Sequence, residues 1–190
     1  MKQDLEKWRA TQRRGMLKYQ ENQKKKNLEK LKAGTLYPKN EIILKGQHKV
    51  PANKDTKWYK KVLWVWFSKY IRLRDSDENG ICACITCGRK HIWNDGLLDA
   101  GHFIPKNTGN SIYFDEDNVN GQCRHCNKWL SGNLSKYRPA IDQKWGEGTA
   151  DRLELKSREK KSFTEQELVG MINKYKIKVK QLLLTKTNEN

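Results

Sequence analysis

No stretch of this 190-residue sequence approaches the ~20 consecutive apolar residues of a membrane-spanning helix. Nor does Met1 to Lys32 hold the apolar segment of a secretory signal, because it is polar throughout. Those absences predict a cytoplasmic protein, in a compartment where thiols stay reduced. Its five cysteines then suit a metal better than disulfides. Apolar residues are scarce as well, 36% against a usual ~45–50%, so part of the chain lies outside any large core. Acidic residues are outnumbered, 22 against 39 basic ones, for a net charge of +17. Such an excess implies a polyanionic partner, nucleic acid ahead of an anionic membrane surface. No internal repeat is present. The length suits one compact domain with extensions.

The charge is uneven. Met1 to Lys61 carries 18 Lys/Arg against 6 Asp/Glu, which is +12 of the total. Asp4 to Lys32 lacks proline and reads as a helix interrupted near Gly15. Its apolar residues are too sparse for a continuous stripe, so it is a solvated arm that could order on a phosphate backbone through Arg13, Arg14, Lys24, Lys25 and Lys26. Glu41 to Leu44 suggests a short strand, and Lys45 to Asp55 a linker.

Trp58 to Arg74 reads as an amphipathic helix. Either Val62, Trp66, Lys69 and Leu73 or Leu63, Phe67, Tyr70 and Ile71 form its stripe. Such aromatic density is more often core than base stacking. Ile81 to Cys87 then runs from strand into knuckle, Leu97 to Phe103 is a short strand, and Tyr113 to Asn120 is extended. A helix is expected from Cys123 to about Tyr137, and Glu147-Gly148 breaks the chain. Thr164 to Glu167 is a capping box. It opens a helix whose face Leu168, Met171, Ile172, Tyr175, Val179, Leu182 and Leu183 serves packing or a homodimer.

Cys84-Ile85-Thr86-Cys87 and Cys123-Arg124-His125-Cys126 are two Cys-x-x-Cys pairs. Four thiolates at this spacing suit one structural zinc, closed to substrate because every position is filled. Cys82 also stands at a permitted spacing from Cys87, but by default it is a small buried residue.

Within and just after this frame lie Asp99, His102, Asn118 and Asn127. Each alone says little. Their order, a strand with His, a loop, a strand with Asn, a knuckle and an Asn on a helix, resembles the ββα-metal, or HNH, nucleases. Phosphodiester hydrolysis needs a water deprotonated near neutral pH, where imidazole titrates. It also needs a cation on the scissile phosphate, and Mg²⁺ takes oxygen ligands from Asp and Asn.

The resemblance narrows further. Leu98 to Phe103, Asp117 to Cys123 and Cys126 to Asn133 together resemble the NinG family of phage recombination proteins, over roughly Cys84 to Arg138. It implies a phage or prophage endonuclease cutting branched DNA such as Holliday junctions and D-loops, alongside phage or host recombination proteins. By the same resemblance His102 is the general base, Asn118 orients it, and Asn127 is a metal ligand. Many ββα-metal enzymes carry an acid directly before the His. Here that residue is Gly101, which leaves Asp99, on the strand face of Gly101, as the carboxylate. Asn133 is a second-tier ligand, and His125 a phosphate contact or a surface residue. Arg124, Lys128, Lys136 and Arg138 would grip phosphates beside the frame.

The expected fold is α+β. A basic helical arm and linker (1–54) precede a zinc-stapled ββα-metal (HNH-like) core with the Trp-rich helix (55–140) and a C-terminal helical region (141–190). The expected cofactors are structural Zn²⁺ and catalytic Mg²⁺ or Mn²⁺. A non-catalytic zinc module that binds branched or single-stranded DNA and recruits recombination proteins would share the frame and the charge, as would an RNA-binding zinc protein.

Overall fold

The structure is a computed structural model that describes residues 54–187. The basic arm, its arginines and lysines and the strand expected at Glu41 to Leu44 lie outside the described residues. Among those described, no helix is long and apolar enough to cross a membrane.

Helix α1 (Thr56–Arg74) starts at Asp55, whose Oδ1 accepts a hydrogen bond from the Trp58 amide at 2.7 Å. Of its two candidate stripes the second is buried: Leu63, Phe67, Tyr70 and Ile71, extended by Tyr59 and Leu73. Strands β1 (Ile81–Ala83) and β2 (Lys90–Ile92) form one small antiparallel sheet, and β3 (Leu98–His102) and β4 (Val119–Cys123) another. In the second sheet Leu98 pairs with Cys123, Asp99 with Gln122, Gly101 with Asn120 and His102 with Val119. Helices α2 (Leu134–Trp145), α3 (Thr149–Ser157) and α4 (Glu165–Thr187) follow, so the class is α+β. Helix α2 runs across residue 140, the expected boundary between core and C-terminal region.

Two expectations fail locally, and one open alternative is decided. Only Val119 and Asn120 of the stretch Tyr113 to Asn120 are extended, in β4: a 3₁₀ turn (Asn110–Ile112) leads into further turns before them. Asp115 causes this, since its Oδ1 accepts the Asp117 amide at 3.0 Å and folds the chain back. The helix expected from Cys123 to Tyr137 is broken. One π-helical turn (His125–Trp129) ends at Ser131, Gly132 and Asn133, all with positive φ, and α2 begins afresh at Leu134. The alternative concerns α4, offered for packing or a homodimer, and its stripe serves packing. Leu168, Ile172, Tyr175, Val179 and Leu183 are buried, and the helix packs along α1 in the same chain. Tyr175 meets Phe67 edge to face with centroids 4.9 Å apart.

The capping box forms as the sequence suggests. The Thr164 amide donates to Glu167 Oε2 at 2.8 Å, and the Glu167 amide to Thr164 Oγ1 at 3.2 Å. Strand β2 and helix α3 were not anticipated. A second core, Phe103, Ile104, Ile112, Tyr137, Ile141, Ala150 and Leu153, joins the β3–β4 loop to α2 and α3.

Candidate functional site

Cys84 and Cys87 lie in the turn between β1 and β2, Cys123 ends β4, and Cys126 sits in the π-helical turn. Backbone bonds shape the first knuckle: the Cys84 amide donates to the Arg89 carbonyl and the Gly88 amide to the Cys84 carbonyl. The four sulfurs lie within 4.8 Å of one another and none is in a disulfide. Sulfurs bound about 2.3 Å from a tetrahedral zinc stand about 3.8 Å apart. Cys87 and Cys123 are separated by 3.8 Å, so the cluster fits such an ion. Amide donors face the sulfurs, as the Cys126 backbone does for Cys123 and the Asn133 side chain for Cys126. Cys82 stands outside the cluster, buried against Gly121, and burial pushes its thiol up to about 12. It is a packing residue.

His102 closes β3. Its Nε2 lies 3.0 Å from the Tyr113 carbonyl oxygen. A carbonyl can only accept, so Nε2 carries the proton and the neutral ring keeps its lone pair on Nδ1. Trp64 of α1 stacks on the imidazole, and Tyr113 meets its edge. Burial in this casing pushes the His102 pKa down to about 4, against the pull of the Tyr113 carbonyl and with the help of the Lys106 charge. The imidazole is therefore neutral at physiological pH.

Asn118 does not touch that ring. Wholly buried, it accepts from the Ile104 amide at 2.8 Å and donates to the carbonyls of Ile104 and Ile112 at 3.2 and 3.1 Å. The carbonyl that holds His102 thus belongs to Tyr113, and Asn118 staples the loop one residue before it.

Asp99 and His102 are three apart on one strand and face opposite sides. Asp99 meets the π-helical turn, where Asn127 Nδ2 donates to Asp99 Oδ2 at 3.0 Å and Arg124 lies 3.8 Å from Oδ1. The structure brings Asp99 and Asn127 together, and holds His102 with Trp64 and Tyr113 instead. Opposite Asp99 stands Gln122, a residue the sequence reading did not single out as functional. Its Nε2 donates to the Gly132 carbonyl at 2.7 Å, while its buried Oε1 has no donor. A Cβ on Gly101 would fall 2.3 Å from that oxygen, which is why no acid can stand directly before His102. Alternation across from Asp99 in the Asp117 to Cys123 block is the signal that could have found Gln122.

Of the basic groups, Lys128 and Lys136 are exposed, as is His125. Arg138 is engaged within the fold. It pairs with both Asp151 and Glu154 and ties α2 to α3.

Comparison with known proteins gives a consistent result. The family described as "Bacteriophage Lambda NinG protein" matches residues 2–185. "Protein ninG" of Escherichia phage 933W is 33% identical over 113 residues, covering 60% of this chain and 52% of the relative. Those of Salmonella phage P22 and Escherichia phage lambda are 32% and 31% identical over the same length. The chain spans about half the length of these curated relatives. No solved structure gives a significant match.

Proposed function

We propose that this chain, which belongs to the bacteriophage lambda NinG family, is a metal-dependent endonuclease that hydrolyses phosphodiesters in branched recombination intermediates such as Holliday junctions and D-loops. The observation that carries the reading is the geometry of His102, with Nε2–H committed to the Tyr113 carbonyl and Nδ1 left to accept a proton. In this scheme Nδ1 takes a proton from water, the hydroxide attacks phosphorus, and the leaving sugar oxygen departs with the bond's electron pair. Trp64 and Tyr113 exclude solvent from the ring and hold its plane. Asp99 and Asn127 would hold Mg²⁺ or Mn²⁺, and the orphaned Gln122 Oε1 adds a third oxygen on their strand face. When bound, that ion supplies positive charge for the scissile phosphate. The thiolate cluster would hold a structural zinc and fix the turn that carries Asn127.

One observation favours a second reading. The Asp99 carboxylate faces away from His102 and is already engaged by Asn127 and Arg124. A non-catalytic module that binds branched or single-stranded DNA for other recombination proteins would need no closer approach. A nicking assay on a four-way junction separates the two. The endonuclease reading expects Mg²⁺- or Mn²⁺-dependent cleavage that His102→Ala lowers about 10²–10⁴-fold. Binding by the wild-type chain without cleavage in either metal selects the second reading.

A further inference from the structure

Some of the described basic groups are paired with carboxylates and others are not. Arg74, Arg138, Lys144, Arg152, Lys156 and Lys178 each reach a carboxylate. Lys57, Lys60, Lys61 and Lys106 form no ion pair with any described residue. Lys60 reaches only the Asn110 amide oxygen, at 3.4 Å, and the face of Phe163. These four lysines line one open cavity of about 400 Å³, together with Trp64 and Tyr113.

Three of the lysines occupy the first six residues of α1, and the first turn holds no acid. The N-terminal end of a helix already carries partial positive charge, so cations there repel it. Asp55 caps the helix end, but none of the four lysines is paired with a carboxylate among the described residues. An anion in the cavity would relieve the repulsion between the four ammonium groups. The cavity shares Trp64 and Tyr113 with the casing of His102, although the imidazole itself is not part of its lining. Its open shape suits a chain of phosphates running across the surface, and flat aromatic faces suit the sugars and bases between them.

We infer that this cradle, Lys57, Lys60, Lys61 and Lys106, is the primary phosphodiester site for the DNA strand presented to His102. The identity of the strand rests on the endonuclease reading; the binding does not. The knuckle surface with Lys128 and Lys136 then serves as a secondary contact.

The test is fluorescence anisotropy of a labelled four-way junction, without added Mg²⁺, across about 50–200 mM salt. Each phosphate contact contributes about 0.9 to the slope of log affinity against log salt. K57Q/K60Q/K61Q/K106Q should lower that slope by about 3–4 and weaken binding at least about tenfold at the lower salt. K128Q/K136Q should lower it by less than about 2. Five of the six lysines are exposed and Lys60 is half-buried, so thermal melting should stay close to the wild-type value and exclude misfolding. A quadruple variant with the wild-type slope overturns the cradle. So does structured RNA that competes as well as the junction, since the site would then not be one for DNA. Loss of slope in a protein that cuts no junction keeps the cradle and removes the endonuclease. A wild-type slope in a protein that cuts does the reverse.

Discussion

Trp64 and His102 stack with ring centroids 5.0 Å apart and planes 19° from parallel. One ring comes from α1 and the other from the end of β3. The stack therefore joins the Trp-rich helix to the strand that carries the candidate base. It also decides the protonation state of that base, because the indole removes water from one face of the imidazole.

That casing sets a pH dependence. The His102 pKa is held down to about 4 from an ordinary 6.5. The unfolded chain binds the proton first, so the stability from keeping the ring neutral is present above about pH 6.5 and lost between there and about pH 4. The loss is at most about 3 kcal/mol, since one pKa unit is about 1.4 kcal/mol. Urea midpoints measured across this range should fall for the wild type and fall less for His102→Gln. In Trp64→Ala the ring regains water, so an NMR titration should place its midpoint above the wild-type value. An unchanged midpoint would remove Trp64 as the cause.

Asn118 supports three hydrogen bonds with no exposure to water. Asn118→Ala leaves the Ile104 amide and carbonyl without partners and takes one of two donors from the Ile112 carbonyl, which keeps the Asp115 amide. It should cost about 2–4 kcal/mol by chemical denaturation. Freeing the loop also loosens Tyr113, so the imidazole loses its fixed proton. If cleavage is measurable, it should fall further than the lost stability explains at temperatures where the variant is folded. Cleavage at the wild-type rate in the folded variant would confine Asn118 to a structural role.

What the sequence made legible depended on range. The capping box at Thr164 and the pairing of the two knuckles follow from local spacing, and both appear as read. The stripe on α1 was ambiguous because aromatic residues occupy both of its faces. Only packing against Tyr175 of α4, over a hundred residues away, selects Phe67 and Tyr70. The break after Trp129 was present in Ser131-Gly132-Asn133, but helical periodicity on either side concealed it. Tyr113 could not be found, because it acts through a backbone carbonyl that any residue would supply. The lysine cradle was hidden because Lys106 joins the α1 lysines only through the fold.

Metal content tests the thiol cluster. The purified chain should carry one zinc by elemental analysis, and Cys84→Ser should lose it together with much of the folded state. Cys82→Ala, by contrast, should keep full zinc, because Cys82 lies outside the cluster and stays a neutral thiol. Loss of zinc in Cys82→Ala would place Cys82 among the ligands.

Gly101 and Gln122 form the tightest pairing in the second sheet. A methyl group at Gly101 would meet Gln122 Oε1 at 2.3 Å and its Cβ at 2.9 Å. The amide cannot swing away freely, because its Nε2 is bound to the Gly132 carbonyl. Gly101→Ala should therefore cost about 1–3 kcal/mol by overpacking. Gln122→Ala should cost about 1–3 kcal/mol as well, by leaving that carbonyl unpaired. In the double variant the new methyl enters space the amide has left. The two losses should then combine to less than their sum, by about 1 kcal/mol or more in a double-mutant cycle of denaturation free energies. Simple additivity would mean that Gln122 does not occupy the place before His102. The same cycle read by Mn²⁺ binding asks whether Gln122 Oε1 is a ligand: Gln122→Ala should then weaken Mn²⁺ affinity, while Gln122→Glu, which keeps an oxygen there, should retain it.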